Sequence, residues 1–186
     1  NVAVGFNSLD LNTTGSSNTS IGKDSLKSNT TGVGNTSVGM GTLYSNTTAS
    51  YNTAIGSLAL DTNQTGASNT AVGYDALTAN SSGEGNTSIG LSSLGGTTTG
   101  AYNVGVGANA GLLHTTGGNN VFVGDSAGRQ STTGCKNTAV GSGALYGAGG
   151  SGTVMENNTA VGYRSLYTNT TGAENVAVGK DALKLN

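Results

Sequence analysis

Few residues in this chain have the types and spacing that acid–base or nucleophilic chemistry needs. The 186 residues contain one histidine, His114, and nine carboxylates. The carboxylates fall at different positions of an internal repeat, so the sequence does not set the fixed separation that paired acids need for glycoside cleavage. Serines are numerous, but no Gly-x-Ser-x-Gly elbow sits with an acid and a base. We therefore expect no enzyme and no catalytic residue, and we interpret His114 as a turn residue.

Metal and redox chemistry are not predicted either. Calcium-binding solenoids repeat an Asp in every coil, which this chain does not do. Zinc sites need Cys and His ligands that are too few here. Cys135 is the single cysteine and cannot form a disulfide within the chain. We interpret it as a loop thiol, with a cross-link between chains as the alternative, and we expect no metal and no cofactor.

Asn-x-Ser/Thr sequences occur ten times and are candidates for N-linked glycosylation. Six share one repeat position, where a predicted turn would expose them along one edge. The Thr pair of this turn persists where the Asn is lost, so a turn or ladder role is the alternative, and O-linked sugars on Thr or an ice-binding Thr array are further ones. The six candidates are Asn12, Asn29, Asn46, Asn63, Asn80 and Asn169.

All these residues belong to an internal repeat that covers the whole chain. Eleven copies of the 17-residue consensus N-T-A-V-G-x-x-A-L-x-x-N-T-T-G-x-x follow one another, and one copy is longer by a short insertion. We treat residues 1–186 as a single repeat domain, and because residue 1 falls on a repeat boundary we expect a piece of a longer fibre. The copies begin at Asn1, Asn18, Asn35, Asn52, Asn69, Asn86, Asn103, Asn120, Asn137, Asn158 and Asn175.

The repeat predicts an all-β solenoid of parallel, in-register coils. Positions two to four alternate as in a strand, position five is always Gly, and N-T-T-G is typical of a turn. We predict two short strands and two turns per coil, an Asn ladder at position one, a Leu spine at position nine, and a rod roughly 50 Å long at ~4.8 Å per coil. Position four is predicted to form a ladder in the core: Val4, Ile21, Val38, Ile55, Val72, Ile89, Val106, Val123, Val140, Val161 and Val178.

Self-association is predicted from the thin core of such a coil. Each coil offers about two large aliphatic side chains, which neighbouring coils must help to bury. Small residues at positions three and eight would let a second surface approach closely. We therefore expect lateral assembly as a homotrimer. The first and last copies carry no polar cap, so end-to-end stacking into a filament is predicted as well.

The strand segments 69–73 (N-T-A-V-G), 137–141 (N-T-A-V-G) and 175–179 (N-V-A-V-G) resemble the head repeats of trimeric autotransporter adhesins. The resemblance implies left-handed parallel β-rolls, wound as trimers, that bind host surfaces. Those heads typically use a shorter coil and lack the N-T-T-G turn. In these two respects the 17-residue repeat is similar to repeats of phage and virus fibre proteins and of environmental bacterial surface proteins.

The longest copy carries a loop insertion within 141–157 that we single out as a possible contact loop. Its glycine tract lacks the Gly-Lys-Ser/Thr ending of a phosphate-binding loop. Tyr146, Val154 and Met155 offer apolar contacts there. Other tyrosines at turn-adjacent positions could stack on sugars: Tyr44, Tyr74, Tyr163 and Tyr167.

Net charge and hydropathy argue against two further classes of partner, nucleic acid and the membrane interior. The net charge is −2 and the seven Lys and Arg are scattered, which argues against nucleic acid as a partner. No stretch approaches the ~20 apolar residues that span a bilayer, so membrane insertion is not expected. We expect a rigid structural fibre or filament in an extracellular, cell-surface or virion location. The alternative is an adhesin head or tail-fibre segment that binds a host receptor or glycan.

Overall fold

The repeats form one continuous parallel sheet in which each coil contributes one strand. The computed structural model describes residues 1–147 and 155–186. Strands that follow one another in the chain pair in parallel and without a register shift, so that Thr53 faces Thr70 and Ile55 faces Val72. The predicted all-β solenoid is confirmed. The strands are β1 Val2–Val4, β2 Thr19–Ile21, β3 Thr36–Val38, β4 Thr53–Ile55, β5 Thr70–Val72, β6 Thr87–Ile89, β7 Val104–Val106, β8 Val121–Val123, β9 Thr138–Val140, β10 Thr159–Val161 and β11 Val176–Val178.

The second strand predicted for each coil is wrong. Positions seven and nine both adopt a left-handed backbone, with φ of 53° at Asp24 and 49° at Leu26. An extended strand cannot contain such residues. The segment still bonds to the next coil, because the Leu26 amide donates to the Thr42 carbonyl at 2.9 Å. Coils therefore remain hydrogen-bonded along the turns as well as along the strands.

Glycine at position five is required by the close approach of successive coils. Gly73 has a φ of 140°, and a Cβ on it would lie 2.5 Å from the carbonyl oxygen of Gly90 in the next coil. No other residue combines that backbone angle with that contact. The chain turns out of each strand at this position.

The prediction that position four lies in the core is wrong. Its residues do form an in-register ladder, but their side chains lie on the outer face, where Ile21 and Ile55 are each 40 % exposed. Since strand side chains alternate, the small residue at position three faces inward instead, as Ala54 and Ala71 do. Position three shares the interior with the Leu row of position nine, and its residue is small in ten of the eleven copies.

The core is built from positions three, eight and nine. Except in the two end coils, the small residues of positions three and eight are buried, so they do not form the outer docking surface that the sequence predicts. The Leu spine of position nine is confirmed, with 0 % exposure at Leu26, Leu43, Leu60, Leu77, Leu94, Leu145 and Leu166.

Phe122 replaces the Leu spine where two coils lack it. Position nine is glycine at Gly111 and Gly128, and between them position three is Phe122 rather than a small residue. A Cβ on Gly111 would lie 2.7 Å from Cδ2 of Phe122, and one on Gly128 would clash with the other edge of the ring. One aromatic ring therefore fills the space of two missing leucines.

Among the described residues, no helix is long and apolar enough to cross a membrane.

Candidate functional site

The candidate glycosylation sites lie in the interior and not along an exposed edge. Five of the six form an amide ladder, and the sixth, Asn169, bonds to Gly172 instead. Asn46, for example, is fully buried, and its Nδ2 donates to Oδ1 of Asn29 at 2.9 Å and to the carbonyl of Ala49 at 3.1 Å. A glycan on Nδ2 would need an exposed nitrogen and would remove this donor. The predicted glycosylation is therefore wrong for the folded rod. Asn12 is partly buried in the first coil, and the buried members are Asn29, Asn46, Asn63, Asn80 and Asn169.

The Asn ladder predicted at position one is present and runs beside the first. Nδ2 of Asn18 donates to the carbonyl of Gly32 at 2.8 Å, and its Oδ1 accepts the backbone amide of Asn35 at 2.9 Å. The Gly32 carbonyl also accepts Nδ2 of Asn29 at 3.1 Å. The two Asn rows thus converge on the position-fifteen carbonyls and pair buried backbone groups that water cannot reach.

The turn threonines support a ladder role, the alternative to glycosylation. Oγ1 of Thr13 donates to the carbonyl of Thr30 at 2.9 Å, and Oγ1 of Thr30 donates to the carbonyl of Thr47 at 3.0 Å. These hydroxyls connect successive coils.

The position-twelve ladder is interrupted at Thr97, His114 and Ser131, all of which are buried. His114 Nδ1 lies 2.7 Å from the Ser131 carbonyl oxygen, and Nε2 lies 2.9 Å from that of Gly117. Burial lowers the pKa of His114 below its ordinary value, and the two carbonyls oppose this effect. The histidine belongs to a turn position as predicted, but its ring occupies the interior.

Two of the three residues predicted for the contact loop are described by the structure; Val154 lies outside the described residues. Met155 takes the place of the usual Gly at position fifteen and is fully buried, with its carbonyl accepting Nδ2 of Asn137. It is a core residue, and its predicted contact role is wrong. Tyr146 is only partly buried and lies on the outer surface beside a cleft.

This cleft, which we name the Tyr/Arg cleft, has a volume of about 220 Å³. Its lining residues all occupy positions six, seven and ten of three adjacent coils. At position seven, Gly143 has no side chain and leaves a gap between Ser126 and Arg164. The lining residues are Asp125, Ser126, Ser142, Gly143, Tyr146, Tyr163, Arg164 and Tyr167.

Aromatic and cationic side chains in the cleft fix one another. The rings of Tyr146 and Tyr167 stack with centroids 4.9 Å apart and planes 15° from parallel. The Arg164 guanidinium carbon lies 5.0 Å from the Tyr163 ring centroid and 5.3 Å from that of Tyr167. Arg129 Nη1 donates to the Tyr146 hydroxyl at 2.9 Å. Such cation–π contacts stabilise each partner by roughly 0.5–1 kcal/mol where exposed.

Comparisons with protein-family models, with curated proteins and with solved structures find no match to this chain.

The cleft includes a serine whose sequence context resembles that of a nucleophile elbow. Ser126 lies in the run 124–128, Gly-Asp-Ser-Ala-Gly, which matches the Gly-x-Ser-x-Gly pattern. The one histidine of the chain is His114, whose ring is buried with both nitrogens at backbone carbonyls, so it is not available as a base for Ser126. Among the described residues, no group of three His, Cys, Asp or Glu side chains is placed to hold a metal.

A second cleft of about 330 Å³ lies on the same face near the other end. Its Gly41 and Tyr44 occupy positions seven and ten, as Gly143 and Tyr146 do in the Tyr/Arg cleft. Of the acids that line it, Asp24 pairs with Lys27 at 3.5 Å, while burial and the nearby Asp75 carboxylate raise the pKa of Asp61.

Both clefts occupy positions six, seven and ten, which we call the variable face because each of these positions takes at least six residue types among the eleven copies. The consensus leaves these positions unspecified, so it does not predict the face. The signal that could have found it is the coincidence of Gly at position seven with Tyr at position ten, which occurs at Gly41 with Tyr44 and at Gly143 with Tyr146.

Cys135 is a partly buried free thiol at position sixteen, and its sulfur accepts the Gly118 amide at 3.4 Å.

Proposed function

We propose that this chain is a segment of a rigid, non-enzymatic, extracellular structural fibre or filament. The observation that carries the proposal is the in-register pairing of all eleven strands into one sheet. In such an assembly each coil templates the next, and length scales with copy number.

The hydrogen bonds between coils support a mechanical role. Backbone groups of the strands, of positions nine to eleven and of the N-T-T-G turns all bond to the neighbouring coil. Two interior Asn ladders add side-chain bonds along the same axis. Sliding or separating two coils would break all of these bonds together, so the rod resists deformation along its length.

Cryo-electron microscopy of the native material tests this function. A long filament whose density shows coils stacked at ~4.8 Å supports the structural fibre. A finite rod attached to a larger particle contradicts it and supports the second candidate below.

The second candidate is an adhesin head or a tail-fibre segment that binds a host receptor or glycan. The Tyr/Arg cleft favours it, because a purely mechanical rod does not need three tyrosines and an arginine gathered on one face. Beads coated with the protein are expected to adhere to a glycan surface, and a variant lacking Tyr163 and Arg164 side chains is expected to adhere less while keeping the rod's length.

Lateral self-association belongs to either candidate. The outward row of position four is an aliphatic surface, with Val4 56 % and Ile89 41 % exposed. Neither position two nor position four carries a charged residue in any copy. A second copy of the chain fits this uncharged, apolar row, and we keep the homotrimer as the proposed assembly. End-to-end stacking stays a prediction.

A further inference from the structure

We propose that the Tyr/Arg cleft binds an acidic saccharide, with the carboxylate or sulfate of the sugar held by Arg164. The inference deepens the second candidate function, the binding of a glycan, and does not depend on the mechanical role.

Arg164 is prepared to receive an anionic group. Its guanidinium lies over the rings of Tyr163 and Tyr167, at 5.0 and 5.3 Å from their centroids. The ion pairs of the described residues all involve lysines, so no described carboxylate neutralises this guanidinium within 4.0 Å. A guanidinium whose plane is fixed by aromatic rings loses little freedom when it binds a carboxylate or sulfate through two parallel hydrogen bonds.

The remaining groups favour a sugar over a simple anion. The exposed carboxylate of Asp125 accepts hydrogen bonds from hydroxyl groups, which a sugar offers and a simple anion lacks. Ser126 and Ser142 offer hydroxyls that both donate and accept. A ligand with many hydroxyls and one anionic group matches this combination, and an acidic saccharide has that composition.

The size of the cleft and its aromatic wall agree with this ligand. The cleft volume is about 220 Å³. Pockets that enclose a drug-sized ligand begin at roughly 300 Å³. The cleft therefore holds about one ring of a longer chain. Tyr163 is 44 % exposed and presents an amphipathic side chain at the edge of the cleft.

The second cleft on the variable face provides an internal contrast. It has the same Gly and Tyr arrangement, but none of its lining residues is a Lys or Arg, and Lys27, which lies over the Tyr44 ring, is already paired with Asp24 at 3.5 Å. Asp61 adds a second carboxylate to its lining. We expect it not to bind an acidic saccharide, so binding should locate to one cleft only.

The test is an NMR titration of the isotope-labelled chain with sialyllactose, digalacturonic acid and the uncharged lactose as probes. We expect both acidic probes to shift the signals of Tyr163, Arg164 and Tyr167, with affinity at least about tenfold above that for lactose. Signals of Tyr44 and Asp61 are expected to stay unchanged.

Two variants with the same change in net charge separate the site from general electrostatics. Arg164→Gln is expected to remove the preference for acidic probes. Lys136→Gln alters an exposed residue at position seventeen, outside the cleft, and is expected to keep that preference. The melting temperature of Lys136→Gln should match that of the unchanged chain, and that of Arg164→Gln should fall by only a few degrees because two cation–π contacts are lost.

Several outcomes would overturn the proposal: equal affinity for sialyllactose and lactose, equal losses in both variants, no shift at millimolar concentration, or tighter binding of a phosphoserine peptide than of any saccharide. Small-angle X-ray scattering on the same samples reports rod length separately. If a variant loses saccharide binding while its rod length is unchanged, the result concerns the saccharide site alone and does not affect the proposed structural role.

Discussion

The buried amide of Asn46 shows how one side chain holds three coils together. It donates to Asn29 and Ala49, and its Oδ1 accepts Nδ2 of Asn63 at 3.2 Å. Asn46→Ala leaves these partners buried and unpaired, so we expect the free energy of unfolding to fall by about 2–4 kcal/mol. Urea denaturation measures this change in the free energy of unfolding.

The control for this substitution is Thr48→Ala, at an exposed position of the same turn. It is expected to change the free energy of unfolding by less than about 0.5 kcal/mol. Equal losses in the two variants would contradict the role of the ladder.

His114 gives the rod a predictable dependence on pH. Because burial lowers the pKa of the folded His114 below 6.5, the unfolded chain takes up a proton that the folded chain resists. The free energy of unfolding should therefore fall as the pH drops below about 6.5 and level off below the folded pKa.

The variant His114→Asn isolates this effect, because the carboxylates are common to both proteins. The groups that contact the ring are two carbonyls, the Asn120 amide and the Phe122 ring, and none of them titrates. The stability of the variant relative to the unchanged chain should be constant above about pH 7.5 and should rise below about pH 6.5. Denaturant titrations of both proteins across this pH range measure the difference in their free energies of unfolding. A difference that does not change with pH would show that His114 is not the cause.

At the scale of the coil, Phe122, Gly111 and Gly128 form one packing unit that spans two adjacent coils. Phe122→Ala should cost about 3–5 kcal/mol, because neither glycine fills the space of the ring. Adding Gly111→Leu and Gly128→Leu should recover most of that loss. Leucine suits these positions, since Leu94 and Leu145 occupy position nine at φ of 47° and 49°, close to the 60° of both glycines. Thermal unfolding of the single and triple variants measures the loss and the recovery of stability. If the two leucines restore no stability, the Phe122 ring does more than fill the space of the missing leucines.

The strand at positions two to four could be predicted from the sequence, but the side of the strand that faces inward could not. The alternation of side chains places Ile55 and Ala54 on opposite faces of the strand, but it does not show which face is buried. The larger aliphatic residue is the one that the sequence predicts to be buried. Packing between coils decides the matter, since position three shares the interior with the Leu row of position nine while position four lies outside. Asn46 was misread for a similar reason: N-T-T-G predicts a turn, while the direction of the amide depends on inner carbonyls that need donors.

The candidate site was only partly visible in the sequence. Tyr146, Tyr163 and Tyr167 were recognised as aromatic residues near turns, but Arg164 was not connected with them. Arg164 lies over the rings of Tyr163 and Tyr167 in its own coil, and Tyr167 stacks on Tyr146 of the preceding coil. These contacts depend on how turns stack, and single-copy patterns do not carry that information.

At the scale of the whole molecule, the outward Val and Ile row should decide the state of association. The double substitution Ile55→Lys and Ile89→Lys places two charges on it, so we expect the protein to change from an oligomer to a monomer. Sedimentation velocity measures this. The control is Thr48→Lys together with Thr31→Lys, which adds the same charge on exposed turn residues and should leave the oligomer intact. A stable monomer of the unchanged chain at high concentration would contradict lateral assembly.

The stack itself is tested most directly by small-angle X-ray scattering of this chain and of a tandem duplicate of its eleven repeats. In-register stacking predicts a rod of about 50 Å for the chain and about 100 Å for the duplicate, at ~4.8 Å per coil. The radius of gyration of the cross-section should be the same for both. A duplicate that grows in cross-section rather than in length would contradict a rod whose length is set by the number of its coils.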